Sequence, residues 1–485
     1  MTSAILAIDQ GTTNTKAVLV DSRGAILAKG SAALGIAYPQ EGWVEQEAED
    51  IWNSVVAAIG LCLEGAAPVE ILGLGISNQR ETVLAWDRAT GAPVGPAITW
   101  QCRRTTETTE ALKRSGVEGQ VLASTGLPLD PLFPASKIRW LLDRAPGGSD
   151  LCVGTVDSWL IYRLTGGKRH ATDRSNASRT QLLNLHRGAW DVELCDLFGV
   201  PPSVLPEVED SQRVFGETRG VPGLPDGLPI ASAIGDSHAA LFGHAAFAPG
   251  DAKVTFGTGS SVMVNVPAFV APEGGLTTTV AWSREGAMTY ALEGNILVSA
   301  SAFPWTAGLL GLDGHVDRLM ELAASVDDTA GVYLVPAHVG LGAPHWRPEA
   351  TGLITGLRFS STPAQVARAA AESMALQVYD VLAATGGTDS GAGGAIHVDG
   401  GPSGNPFLMQ LVADILGRPL QVCRMPEVSA FGAATLAGLT LGLWPDLDAL
   451  AALDRGVTTV TPEMPAARRE PILAGWAAAV RRCAL

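Results

Sequence analysis

The chain opens on three short apolar runs, "AILAID", "KAVLVD" and "AILAKGSAAL", separated by the polar turns "QGTTNT" and "SRG". Short β-rich runs punctuated by Gly and polar residues predict an antiparallel three-stranded meander. Farther along the pattern becomes strand, loop and helix: "VEILGLGIS" then "NQRE", "PIASAIG" then "DSHAALFGHAA", and "AIHVDGG" then "NPFLMQLVADILG". Apolar runs alternating with helical periodicity predict mixed α/β layers with helices on the sheet faces. After the turn-rich "FAPGDAK", the segment "AKVTFGTGSSVMVNV" repeats the strand, Gly-Thr turn, strand plan of the N-terminus. This weak repeat places a boundary near 245 and divides the chain into 1–245 and 246–485. One helix start is well marked in "SSTPAQVARAAAESMALQVYDVL", where Ser361 or Thr362 is placed to cap and Pro363 stands where a missing N–H costs nothing. The following "LAATGGTDSGAGG" predicts its end.

Length supports the division, since 485 residues exceed what one hydrophobic core normally serves. A hydrophobic content of 47% with 17% charged residues and 56 Gly describes a packed, turn-rich globular protein. The net charge of -16, from 33 basic and 49 acidic residues, and the lack of a Lys/Arg run argue against a nucleic-acid partner. A phosphorylated ligand remains open, because backbone N–H groups and a cation do not need a basic surface. Cys62, Cys102, Cys152, Cys195, Cys423 and Cys483 are scattered without zinc spacing, a usage that suits a reducing cytoplasm. The start "MTSAILAIDQ" lacks a basic leader, and no apolar segment approaches the roughly 20 residues of a membrane span. These features predict a cytoplasmic protein with no membrane contact.

Three glycine turns carry the first chemistry. In "DQGTTNTK", Gly11, Thr12, Thr13 and Asn14 form a turn that lets the backbone approach an anion, and Asp9 lies where it can hold a hydrated Mg²⁺. The bland alternative is a polar hairpin turn closed by an Asx bond. In "FGTGSS", Gly257 and Thr258 sit at a second tip, which is equally readable as an ordinary glycine hairpin. In "VDGGPSGNPF", Gly400 and Gly401 end a strand and Asn405 opens a helix, the place where α/β folds bind ligands.

Charged residues carry the rest. Asp236 in "IASAIGDSHAAL" stands between strand and helix, either as an N-cap or as a carboxylate that takes a proton from a hydroxyl. His238 is a weaker rival base, since it falls within the helical segment. Arg80 and Glu81 in "ISNQRETVLAW" can donate to and accept from neighbouring hydroxyls of one polyol; otherwise they are a surface ion pair of little worth. Trp100 can wall such a ligand or belong to the core.

Together the segments "AIDQGTTNTKAVLVD", "GWVEQ", "SNQRET", "TWQCRRT", "GTVDSWLIYRLTGG", "TDRSNASRT", "GDSHAALFG", "FGTGS", "ALEGNI", "GVYLVPAHVGLGAPHW" and "VDGGPSGNPFLMQLVADILG" resemble the FGGY carbohydrate kinases, most of all their glycerol kinase branch. The resemblance runs in order from about residue 4 to 445. It implies an α/β, actin/Hsp70-like fold of two domains, each with a ribonuclease-H-like mixed sheet flanked by helices. It further implies ATP-dependent, Mg²⁺-requiring phosphorylation of a terminal polyol hydroxyl, glycerol first, and a homo-oligomer, dimer or tetramer. By position it implies Asp9 and Asp236 in the metal network, Thr12, Thr13, Asn14 and Lys16 near the phosphates, and Gly257 and Thr258 on the phosphates from the second hairpin. Gly400, Gly401 and Asn405 would hold the adenosine side. Arg80, Glu81, Trp100 and Asp236 would bind the acceptor, with Asp236 as catalytic base.

Several positions depart from the glycerol kinase pattern. Leu132 stands where that branch places Tyr, Ser237 where it has Gln, and Ser261 where a Phe walls the acceptor. Lys16 replaces a frequent Arg, and Ala300 and Pro304 replace Gly and Gln on the nucleotide side. Smaller, more polar walls leave room for a longer polyol or a ketose, the alternative acceptors. A non-catalytic ATP-binding sugar sensor is the remote alternative.

Overall fold

The structure, a computed structural model, describes residues 2–146, 150–386 and 393–483. The N-terminal meander forms as the pattern predicts: strands Thr2–Gln10, Asn14–Asp21 and Ile26–Ala33 pair antiparallel in order. On its other edge Thr2–Gln10 runs parallel to Val69–Asn78, which runs parallel to Pro229–Gly235, completing a six-stranded mixed sheet with the short strand Gly216–Glu217. The second half repeats this plan. Strand Ala252–Phe256 pairs antiparallel with Ser260–Val266 and parallel with Ile396–Gly400 inside a seven-stranded sheet. The repeat in the sequence is therefore a repeat of topology, and it sets two Gly-Thr turns at equivalent ends of two sheets. Arg80 and Glu81 fall, as expected, in the loop between two strands, Val69–Asn78 and Val83–Asp87.

Burial explains why the first strand reads as an unbroken apolar run. Residues Ala4 to Ile8 are all fully buried, because helices cover both faces of the sheet. On one face Leu6 and Ile8 meet Ile51, Val55 and Ile59 of helix Ala48–Glu64. On the other, Ile5 and Ala7 meet Phe431 and Ala434 of helix Val428–Thr440. Each such Leu or Ile stabilises the fold by about 1.5–3 kcal/mol. Helix Val428–Thr440 comes from the second half yet packs on the first sheet, in a core that also takes Met263, Ala281 and Trp282 of the second sheet. The two halves thus share apolar packing.

Helix Pro363–Ala384 starts where expected. Thr362 is its N-cap, and the Thr362 N–H donates to Gln365 Oε1 at 2.9 Å in a capping box. Thr385 and Gly386 end it; the rest of the predicted stop, 387–392, lies outside the described residues. All six cysteines are free, and no helix among the described residues is long and apolar enough to cross a membrane.

Candidate active site

Strand ends deliver the acidic groups. Asp9 closes the buried part of Thr2–Gln10, opposite Ser77 on the parallel neighbour, and Ser77 Oγ donates to Asp9 Oδ1 at 2.7 Å. Burial raises the Asp9 carboxyl from 3.8 to about 6, the Ser77 bond opposes the rise, and the nearby charge of Asp236 adds to it. Asp236 is the first residue of helix Asp236–Gly243, with Gly235 as the N-cap, so its carboxylate is not spent on capping as the sequence alternative had it. Its Oδ1 accepts from the Ser237 N–H at 2.6 Å and lies 3.3 Å from Arg80 Nε. Burial pushes its carboxyl up while Arg80 pulls it down, and 37% of the side chain stays exposed to the cleft. Gly235 matters here, because a Cβ would sit 2.8 Å from the Arg80 side chain and from His238 Nδ1.

Arg80 and Glu81 are not a surface pair. Both are buried, and each takes a separate partner. Arg80 Nη2 donates to Glu293 Oε1 at 2.7 Å, Arg179 Nε donates to Glu81 Oε1 at 2.6 Å, and Arg179 Nη1 lies 3.0 Å from Glu293 Oε2. A chain of alternating charge, Asp236–Arg80–Glu293–Arg179–Glu81, therefore links the two residues. Burial works against the charge on Glu293, but the two guanidinium groups overcome it and hold the carboxyl well below the usual range. Glu81 takes a φ of +60°, a conformation non-Gly residues rarely adopt, and the Arg179 bond helps hold it there. Sequence reasoning missed Arg179 and Glu293. The available signal was a lone carboxylate in the apolar strand Ala287–Ile296, which needs a buried cation.

Trp100 is half-exposed, and its Nε1 donates to Thr12 Oγ1 at 3.0 Å, tying the acceptor wall to the first turn. Lys137, also missed, is fully buried and donates to the carbonyls of Thr99 (2.8 Å), Trp100 (3.3 Å) and Leu132 (2.8 Å). Three carbonyls match the three N–H bonds of an ammonium, although burial pushes the group down to about 7. It fixes the Trp100 and Leu132 segments relative to each other. Ser237 and Ser261 are half-buried, and Ser261 Oγ lies 3.5 Å from Lys253 Nζ. His238 is buried and neutral, its Nε2 3.0 Å from Thr279 Oγ1 and its ring held well below the usual histidine range by burial. That is a structural role.

Both Gly-Thr turns are anchored through their carbonyls. Thr12 O accepts from Gln46 Nε2 at 2.7 Å and Thr13 O from the Leu34 N–H at 2.8 Å. Gly257 O accepts from the Ala300 N–H at 3.1 Å and Thr258 O from the Ser299 N–H at 2.8 Å. In a trans peptide the N–H opposes the C=O, so these anchors turn the N–H groups of Thr13, Asn14, Thr258 and Gly259 the other way. Successive N–H groups of this kind are suited to phosphate oxygens. Thr13, Asn14 and Thr258 are exposed. Ala300 lies against the second turn through its bond to Gly257, and Pro304 is exposed on the helix Ala302–Leu309 that follows. Lys16, opposite Asp9 in the hairpin register, donates to Glu427 Oε2 at 2.7 Å; burial opposes its charge and Glu427 restores it.

At the end of Ile396–Gly400 a cavity of about 530 Å³ opens, lined by Gly400, Gly401, Ser403, Met409, Val422 and Met425 among others. Gly400 has φ +94°, and a Cβ there would lie 2.0 Å from Phe256 O. Asn405 caps helix Pro406–Leu416, accepting from the N–H groups of Phe407 and Leu408. Its Oδ1 is therefore engaged. For a cation the chain offers Asp9 and Asp236; no group of three or more His, Cys, Asp or Glu stands ready to hold a metal among the described residues. Two carboxylates with water and phosphate oxygens fit Mg²⁺ rather than an all-protein cage.

The fold is that of a two-domain phosphotransferase of the actin/Hsp70-like kind. Residues 4–243 match the N-terminal domain of the FGGY family of carbohydrate kinases and residues 252–441 its C-terminal domain, so the chain belongs to that family. It is 46% identical to an apulose kinase of Pectobacterium atrosepticum, over 100% of this chain and 99% of that protein. It is also 46% identical to a glycerol kinase of Citrifermentans bemidjiense, over 98% of each. Among solved structures, Plasmodium falciparum glycerol kinase with ADP superposes with a TM-score of 0.93 at 31% identity, covering 100% of this chain and 99% of that one. A xylulose kinase of Lactobacillus acidophilus has a TM-score of 0.90 at 22% identity, covering 99% and 97%, a likeness of fold. The chain is a carbohydrate kinase that uses ATP.

Proposed function

We propose that the protein transfers the γ-phosphoryl group of ATP, with Mg²⁺, to a terminal hydroxyl of a small polyol or ketose. The observation that supports this reading is that Asp236 lies 3.3 Å from the buried Arg80 and close enough to Asp9 for their charges to act on each other, in a chain whose two Gly-Thr turns are anchored through their carbonyls. Asp236 accepts the hydroxyl proton as the acceptor oxygen bonds to the γ-phosphorus and the bond to ADP breaks. Arg80 and Glu81 position the acceptor hydroxyls, and Trp100 supplies a wall for its C–H face. A Mg²⁺ ion held through Asp9 and Asp236 supplies neutralisation of the phosphate charge. The Gly400–Gly401 cavity accommodates the adenosine.

Glycerol as acceptor is supported by the persistence of Arg80, Glu81, Trp100 and Asp236 and by the similarity to glycerol kinases. A ketose is supported by Leu132, Ser237 and Ser261, which remove two rings from the wall, and by equal similarity to an apulose kinase. The test is ADP release with Mg-ATP, coupled to product detection, for wild type and Asp236→Asn over glycerol, erythritol, pentitols and ketoses. Loss of about 100-fold or more in kcat for Asp236→Asn supports the base. Retention of most turnover refutes it, and ATP binding without product for every acceptor supports a sensor instead.

A further inference from the structure

Lys253 is a buried cation that stands outside the ion chain. It lies in strand Ala252–Phe256 and is 1% exposed. In the hairpin register Lys253 faces Met263 and Thr255 faces Ser261, which puts the Lys253 and Ser261 side chains on the same side of the sheet. The Nζ reaches Ser261 Oγ at 3.5 Å, the outer limit of a hydrogen bond and its one such contact among the described residues. Met263 stands between Lys253 and Glu293 in the cross-strand register, so the ammonium shares a sheet face with the Glu293 that anchors Arg80, and Asp399, Arg80, Glu293 and Asp236 act on its charge. Arg80 Nη1, buried in the same place, also lacks a hydrogen-bond partner. A buried donor held by so long a contact is costly.

Resting on the kinase reading above, we propose that Lys253 and Ser261 form a subsite for the carbonyl oxygen of a ketose acceptor, making the enzyme a ketose kinase rather than a glycerol kinase. A carbonyl oxygen has two lone pairs and no hydrogen, so it can take one bond from Lys253 Nζ and one from the Ser261 hydroxyl. A polyol hydroxyl at the same point brings a further donor to a place already rich in them.

The experiment compares kcat/KM within matched pairs that differ only at the carbonyl: dihydroxyacetone and glycerol, erythrulose and erythritol, D-xylulose and xylitol. Wild type is expected to favour the ketose of its best pair by at least about tenfold, since a site built to bond an oxygen discriminates strongly against its analogue. Lys253→Met and, as a second variant with the lysine intact, Ser261→Phe are each expected to lower that ketose-to-polyol ratio by about tenfold or more. A polyol preferred in every pair, or a ratio unmoved in a folded variant while turnover continues, overturns the subsite and leaves the kinase reading standing. If wild type phosphorylates none of the six, the kinase reading fails. Calorimetric titration of the same pairs then decides the subsite: weaker ketose binding in Lys253→Met supports it, and equal binding overturns it.

Discussion

Replacing Asp9 by Asn should make the folded protein more stable while removing its use of Mg-ATP. The Asp9 carboxyl rises from 3.8 to about 6 chiefly through burial, which corresponds to about 3 kcal/mol against the charged form in the folded state. Because the folded state holds this proton more tightly, wild-type stability falls as pH rises from about 4 to 6, and the deficit is complete above 6. Asn has no charge to bury and keeps a carbonyl oxygen for the Ser77 hydroxyl, which donates at 2.7 Å. Asp9→Asn should therefore recover about 2–3 kcal/mol at pH 8, a rise of roughly 2–3 °C in Tm for a chain of this length, and almost nothing at pH 4. Differential scanning calorimetry of both proteins without nucleotide, from pH 4 to 8, measures it. The same preparations assayed with Mg-ATP should show at least about 100-fold less turnover for the variant, because the carboxylate proposed to hold the cation is gone. A Tm difference that is independent of pH, or lower stability at pH 8, would refute the argument that a desolvated charge sits at this strand end.

Glu293→Gln leaves Arg80 and Arg179 short of a counter-charge and should cost about 3–5 kcal/mol, read as a lower urea midpoint, with a raised acceptor KM as Arg80 loses its anchor. Gly400→Ala places a Cβ against Phe256 O at positive φ and should weaken ATP binding at least about tenfold in calorimetry while acceptor binding stays within about twofold. Lys137→Met removes three bonds to the Trp100 and Leu132 segments and should raise acceptor KM more than it lowers kcat. An equal fall in kcat and kcat/KM would instead assign Lys137 to the transition state.

Much of the fold was legible because local rules agree with one another. Short apolar runs between polar turns marked the hairpin strands, Thr362 and Pro363 marked a helix start, and repeated Gly-Thr turns marked the plan of both sheets. Asp9, Asp236 and the turn glycines were legible for a related reason, since polar or flexible residues at the end of a buried strand conflict with packing unless a ligand uses them. Arg179, Glu293, Lys137 and Lys253 were not legible in the same way. Each is a charged residue within an ordinary helix, loop or strand, and its meaning depends on partners scattered along the chain, as Glu293 depends on Arg80.

The sequence by itself determined where the turns fall, which strand ends carry carboxylates, and that the chain is built twice on one plan. These follow from backbone sterics and hydrophobic periodicity, which act over a few residues. Only the tertiary structure decided that Arg80 and Glu81 look away from each other into a five-membered chain of charge, that helix Val428–Thr440 returns to cover the first sheet, and that the buried Lys253 reaches Ser261. Burial and Coulomb interactions act through space between residues remote in sequence, and their sign and size are fixed only when folding sets the distances.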